Sequence, residues 1–368
     1  MFAPSRPSRP TAQANRVLML ADELVFSIDG DGFRWRDVVV AAWRWGEWDA
    51  VERRARQGNA CVRADQDQAI SLPAGALEAA GQEFRYAREL VTAHSMQDWL
   101  DRMGLSARDW TAHLRRELHR ARHSPPSLEA LTERYPVSDA EAVAMALADA
   151  VCAGDADRWA RSLAARVAAN RTVGAPSSSP TEPTDEDREV VVPTDLAAAL
   201  GLDAGGWRAA SQRIAAVDRA FEHFRSAQLT EHAVETYVAS RQLEWIRFEC
   251  RVMAFPKEDM AAEAALLLRE DGEGFTGVYR AAHTEPRAAR FFFDHLEPLL
   301  RDHFLGVQAG DLVGPMRAGD EFVLYLIERK VLPTTRDPEI RRLAEDGVLR
   351  HALRQQLDHH VEWHAVLH

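Results

Sequence analysis

The sequence predicts an α+β fold, with a mainly helical N-terminal domain followed by a small sheet-and-helix domain. Three observations carry this. Ser95-Met96-Gln97-Asp98, Ser106-Ala107-Arg108-Asp109 and Ser138-Asp139-Ala140-Glu141 have the Ser-x-x-acid form that satisfies orphan N–H groups at a helix start. Arg247–Phe255 puts Phe248, Cys250, Val252 and Ala254 on one parity and Arg247, Glu249 and Arg251 on the other, the pattern of a half-buried strand. Phe322–Ile327 is apolar on both parities, which predicts an interior strand covered on both faces.

Residues 1–15 are expected to form a disordered tail and 16–171 the helical domain. Val25–Ile28 and Phe33–Trp35 flank Asp29-Gly30-Asp31-Gly32, whose composition suits a hairpin turn; the further ligands and closing glutamate of a calcium loop are missing. Arg36–Gln57 reads as one long helix in which Trp43, Trp45 and Trp48 pack, an aromatic recognition surface being the other reading. Capped helices follow over 77–122, with a break at Gly104-Leu105-Ser106, and 140–170 is an Ala-rich helix. The segment 172–193, containing Pro176-Ser177-Ser178-Ser179-Pro180, is too polar to bury much surface and is expected as a flexible linker before a helical connector at 194–244.

In the small domain, 245–332, Pro256 ends the first strand. Lys257–Glu270 carries Met260, Ala264, Leu267 and Leu268 at helical spacing, with Gly272 and Gly274 as stops. A short helix over Phe275–Ala282, a strand at Phe291–Phe293, a helix at Pro298–Leu305 and a turn at Gly306–Gly310 complete a β-α-β-α-β order. In the last segment, 333–368, Pro338–Trp363 is expected to be helical and to clasp either the N-terminal half or a second subunit, which would make a homo-oligomer.

Composition narrows the function. A chain of 368 residues exceeds what one core serves. Its net charge of -12 argues against a general nucleic-acid surface, which works by neutralising phosphates. No apolar run reaches the about 20 residues of a membrane span, and the first residues lack an apolar signal core, so a cytoplasmic protein with no membrane partner is expected. Cys61, Cys152 and Cys250 are far apart, which predicts reduced thiols and no zinc site. His360, His364 and His368 repeat every four residues but commit no further ligand, so no metal and no cofactor is expected. Neither an isolated acid pair nor a Gly-rich loop with a lysine stands out.

Leu296-Glu297-Pro298-Leu299-Leu300, then Gly310-Asp311-Leu312-Val313-Gly314-Pro315, then Phe322-Val323-Leu324, resembles the parvulin-type peptidyl-prolyl isomerases. These carry a pocket methionine, a proline and a pocket phenylalanine, a Gly-x-x-x-Gly-Pro turn, and a final strand that begins Phe-His. The resemblance puts Leu296 and Leu300 at the pocket pair, Val323 at the final-strand histidine and Cys250 at the first-strand histidine. A rotation barrier of about 18 to 20 kcal/mol would then face a pocket without its paired imidazoles. The resemblance therefore implies no catalytic residues and a peptide groove lined by Cys250, Phe291, Leu296, Leu300, Val323 and Tyr325.

The run 77–122, with Glu83-Phe84-Arg85, Trp99-Leu100 and Trp110, resembles the helical part of SurA-like chaperones, which cradles unfolded polypeptide ahead of a parvulin module. Together the two resemblances imply a noncatalytic, chaperone-like relative of the PpiC proteins of peptide maturation systems (ribosomal peptide biosynthesis). Its expected partners are a precursor or client peptide and a peptide-modifying enzyme. Two alternatives stay open. One is an enzyme, either a residual prolyl isomerase or a peptide-modifying catalyst using Cys250 or His303; the other is a scaffold for a partner enzyme.

Overall fold

Asp29 and Gly30 both lie at positive φ, 50° and 85°, as a two-residue hairpin loop requires, and β1 (Leu24–Ile28) pairs antiparallel with β2 (Asp31–Arg34) across them. The computed structural model describes residues 21–172, 191–270, 278 and 286–364. By their contacts they divide into two units. One runs to Arg225 and resumes at Leu353; the other is Ser226–Ala352.

In the first unit the predicted strand residue Trp35 instead opens α1 (Trp35–Arg44), because the Asp37 carboxylate accepts from the Arg34 N–H at 2.8 Å and caps the helix there. The single helix expected over 36–57 is two. Gly46, at φ 71°, turns the chain between α1 and α2 (Glu47–Asp67). Then come α3 (Ala76–Ala87), α4 (Ala93–Arg102), α5 (Ala107–Arg120), α6 (Pro125–Arg134), α7 (Asp139–Ala153) and α8 (Asp155–Thr172). Ser106 and Ser138 cap α5 and α7 as expected, each accepting from the backbone N–H three residues on. Ser95 does not cap α4. Thr92 does, and Ser95 is its reciprocal partner. The one Ala-rich helix expected over 140–170 breaks at Gly154, φ 81°.

Helices α9 (Thr194–Ala199) and α10 (Ala204–Gln228) bring Leu196, Trp207 and Ile214 into the same core as Val38, Trp48, Leu147 and Leu163. The residues between α8 and α9 therefore join two helices of one unit, and 194–225 belongs to that unit rather than to a separate connector. Trp43 packs edge-on against Trp207 at 5.2 Å, Trp45 donates its indole N–H to Asp218, and Trp48 is buried, which is the packing reading of these tryptophans. The tail at 1–15, the linker residues 173–190 and, apart from the buried Val278, the helix expected over 275–282 lie outside the described residues.

The second unit is built on an antiparallel sheet in the order β4-β3-β6-β5. Its elements are α11 (Glu231–Ser240), β3 (Arg247–Phe255), α12 (Glu258–Glu270), β4 (Arg287–Phe292), α13 (Pro298–Phe304), β5 (Leu312–Ala318) and β6 (Glu321–Val331). Strand β6 is interior, as its two apolar parities predict. β3 is interior too, because Met253 and Phe255 meet α12 on the face opposite Phe248, Cys250 and Val252. The predicted β-α-β-α-β order lacks β5, which the sequence presents as a Gly-Pro turn; the strand bulges there, between Val313 and Met316. Met260 of the predicted helical face is exposed, its place in the core taken by Ala261 and Ala265.

The last helix, α14 (Pro338–His360), begins in the second unit, where Ile340 and Ala344 pack with Val234 and Val238 of α11. Its end returns to the first unit. The sequence predicts helix to Trp363, but Glu362 and Trp363 form β7, which pairs antiparallel with β1 and sets the Trp363 ring 5.6 Å from Phe26.

Candidate functional site

The six predicted groove residues come from four elements and meet in one apolar cluster on one face of the second unit's sheet. β3 supplies Cys250, β4 supplies Phe291, β6 supplies Val323 and Tyr325, and Leu296 and Leu300 flank the start of α13. Alternation along the strands explains the grouping, since residues of one parity share a face. Arg301 fixes the approach to α13 by donating to the carbonyls of Leu296 (3.0 Å) and Asp294 (2.9 Å). Lys330 Nζ holds its far end through the carbonyls of Leu305 (3.3 Å) and Val307 (3.1 Å).

Burial separates the six into a floor and a surface. Cys250, Leu296 and Val323 are buried, whereas Phe291, Leu300 and Tyr325 are half-buried and offer apolar area outward. The centre is a residue that sequence reasoning missed. Phe304 is fully buried, with Phe248, Phe291 and Tyr325 around it edge-on at 5.3, 5.6 and 5.5 Å. Its signal was present as the last apolar residue of the short helix after Pro298.

The cluster offers little for acid–base or nucleophilic chemistry. Burial, and then the nearby Glu328 and Glu249, push the Cys250 thiol up to about 12, so it is not a thiolate nucleophile at neutral pH. Burial, followed by Cys250 and Glu297, also pushes the Tyr325 phenol up. The exposed His303 lies elsewhere, on a cavity of about 640 Å³ whose wall includes Arg269, Asp311, Gly314 and Pro315 and none of the six. Arg269 is engaged there, donating to the carbonyls of Leu312 (3.2 Å) and Gly314 (2.9 Å).

Among the described residues the buried charges lie in the helical unit, and they were not anticipated. Asp149 of α7 accepts from Arg116 Nε at 3.1 Å and sits 2.8 Å from His113 Nδ1. Burial by itself would raise its pKa, but these hydrogen bonds outweigh burial and hold it below the usual carboxylate range, so His113 Nδ1 carries the shared proton. Asp65 of α2 lies 2.6 Å from His119 Nδ1. His113, Arg116 and His119 recur every three residues along α5, so one helix face supplies the partners for both acids. Pairing of this kind is what buried carboxylates require.

Among the described residues there is no group of three or more His, Cys, Asp or Glu side chains placed to hold a metal ion, and His364 Nε2 instead meets Ser27 Oγ at 2.7 Å. No described helix is long and apolar enough to cross a membrane. Neither a protein-family model nor a curated protein sequence matches the chain.

Proposed function

We propose that the protein is a noncatalytic, chaperone-like peptide binder acting in the cytoplasm, its second unit being a degenerate parvulin-like domain and its helical unit SurA-like. The observation that carries this reading is the convergence of Cys250, Phe291, Leu296, Leu300, Val323 and Tyr325 on one apolar cluster, with the Cys250 thiol raised; on the resemblance, Cys250 and Val323 take the places of the isomerase histidines. A few half-buried apolar anchors suit a peptide side chain. The client is a precursor peptide of a ribosomal peptide maturation system, presented to a peptide-modifying enzyme. Three free, buried cysteines agree with a reducing compartment.

The test has two arms. Prolyl isomerisation of a model peptide takes about 10 to 100 s uncatalysed at 25 °C, and the protein is expected to leave that rate unchanged. Leu300→Asp, at a half-buried position, is expected to weaken peptide binding by about 1 to 3 kcal/mol, the value of one apolar anchor, with circular dichroism establishing that the variant is folded. Unchanged affinity in the folded variant removes the cluster as the site, and rate enhancement removes the noncatalytic reading.

A further inference from the structure

The helical unit contains a basic groove that this reading does not use. α2 and α5 come close together at Gly58, where an added Cβ would lie 2.8 Å from the Cβ of Arg116. Beside that crossing the two helices border a cavity of about 500 Å³, within the size range of ligand sites. Its wall includes Asn59 and Val62 from α2 and Arg108, Thr111, Arg115 and Arg116 from α5, and no carboxylate lines it. Arg116 is neutralised by Asp149. Arg108 and Arg115 have no hydrogen-bond or ion-pair partner among the described residues, and the buried Asn59 Nδ2 has none either.

We propose that this groove binds an acidic peptide segment, with Arg108 and Arg115 each pairing with a carboxylate and Asn59 Nδ2 donating to a peptide carbonyl. Three features favour a peptide over a compact anion. The two arginines are seven residues apart on one helix, about 10 Å along its axis, which matches one three-residue turn of polyproline II chain, about 9 Å, with acids three apart on the same side. The start of α5, where a phosphate would be drawn, is already taken by the Asp109 carboxylate, which accepts from the Ser106 N–H at 3.0 Å. Val62, Ala107 and Ala112 give the groove apolar wall between its charges. In a chain of net charge -12, unpaired guanidiniums facing no acid select acidic partners by complementarity. The inference rests on the proposed function only for the ligand being a peptide, and adds that its acids are spaced about three residues apart.

The experiment titrates the full chain with a fluorescein-labelled peptide containing Glu-Ala-Leu-Glu, its Gln-Ala-Leu-Gln counterpart, and inorganic phosphate as competitor. The acidic peptide is expected to bind at least tenfold more tightly than the Gln peptide, with the preference shrinking as salt is raised. The Arg108→Gln/Arg115→Gln variant, altered at exposed helix positions, is expected to lose that preference. Equal binding of the two peptides, a preference that survives the double substitution, or absence of binding by either peptide overturns the proposal. So does displacement of the acidic peptide by millimolar phosphate at constant ionic strength, which marks a simple anion site. If Leu300→Asp alone abolishes binding, the groove fails and the apolar cluster stands; if only the arginine variant weakens binding, the reverse holds.

Discussion

Asp149 is almost wholly buried, and its charge is tolerable only because His113 and Arg116 face it. Removing the carboxylate leaves a buried guanidinium unpaired, so Asp149→Ala is expected to cost about 3 to 5 kcal/mol in denaturant unfolding. Its folded pKa is depressed, so the stabilisation is fully present above the unfolded value of about 3.9 and is lost as pH falls through the folded one. The stability gap between the parent and Asp149→Asn should therefore narrow below about pH 4. The cysteines make a second prediction. Burial leads the rise of all three thiols, to about 11 at Cys61 and about 12 at Cys250, with Cys152 raised as well. None should react with a thiol reagent at pH 8 until denaturant is added, and rapid modification of Cys250 in the native protein would revive the thiol-catalyst reading. Asp149 was legible in principle, as a lone acid inside the apolar run Ala146-Leu147-Ala148-Asp149-Ala150-Val151. Its partner could not be read, because it comes from a different helix.

At the scale of elements, glycines set the limits of what the sequence told. Gly46 and Gly154 sit inside patterns that read as continuous helix, and only their left-handed backbone shows that each is a break. Gly347 does the opposite and lies inside α14, because the Tyr237 ring occupies the space a side chain would need, 2.3 Å from an added Cβ. Gly347→Ala would gain about 1 kcal/mol of helix propensity, but overpacking costs about 1 to 3 kcal/mol. The clash is expected to win, giving net destabilisation in thermal unfolding, and Tyr237→Ala should relieve it in the double variant. β6 was readable because both its faces are apolar. β5 was not, since Gly314-Pro315 imitates a turn; at φ 111° an added Gly314 Cβ would lie 2.5 Å from the Val323 carbonyl oxygen, a close approach that fixes the bulge.

At the scale of the molecule, the α+β class and the helical character of the first half come from caps and periodicity, whereas the division into units does not. The polar segment 172–193 looks like a domain boundary, yet the helices on either side of it share one core. Leu196 and Trp207 are large enough to finish that core, and the polarity of a connecting segment carries no information about where the next helices pack. The six cluster residues were assigned through the resemblance to parvulins rather than by any strand pattern, and strand parity accounts only for Cys250, Val323 and Tyr325 sharing a face; Phe304 at their centre was missed because a short helix has too few residues to show a face. The return of the chain to β1 makes a further prediction. Truncation after His360 removes β7, the Trp363–Phe26 contact and the Ser27–His364 hydrogen bond, and should lower the melting temperature of the helical unit.

Ser27 and Glu362 touch across 335 residues of sequence. At roughly 5 to 20 residues per second, a ribosome needs about 20 to 70 s to make the second after the first. During that interval most of both units is made, while one edge of β1 exposes N–H and C=O groups with no strand to meet them. A strand made early in this sequence is thus paired on its second edge only late. The nascent chain carries an open template for mispairing that closes only once β7 has been made.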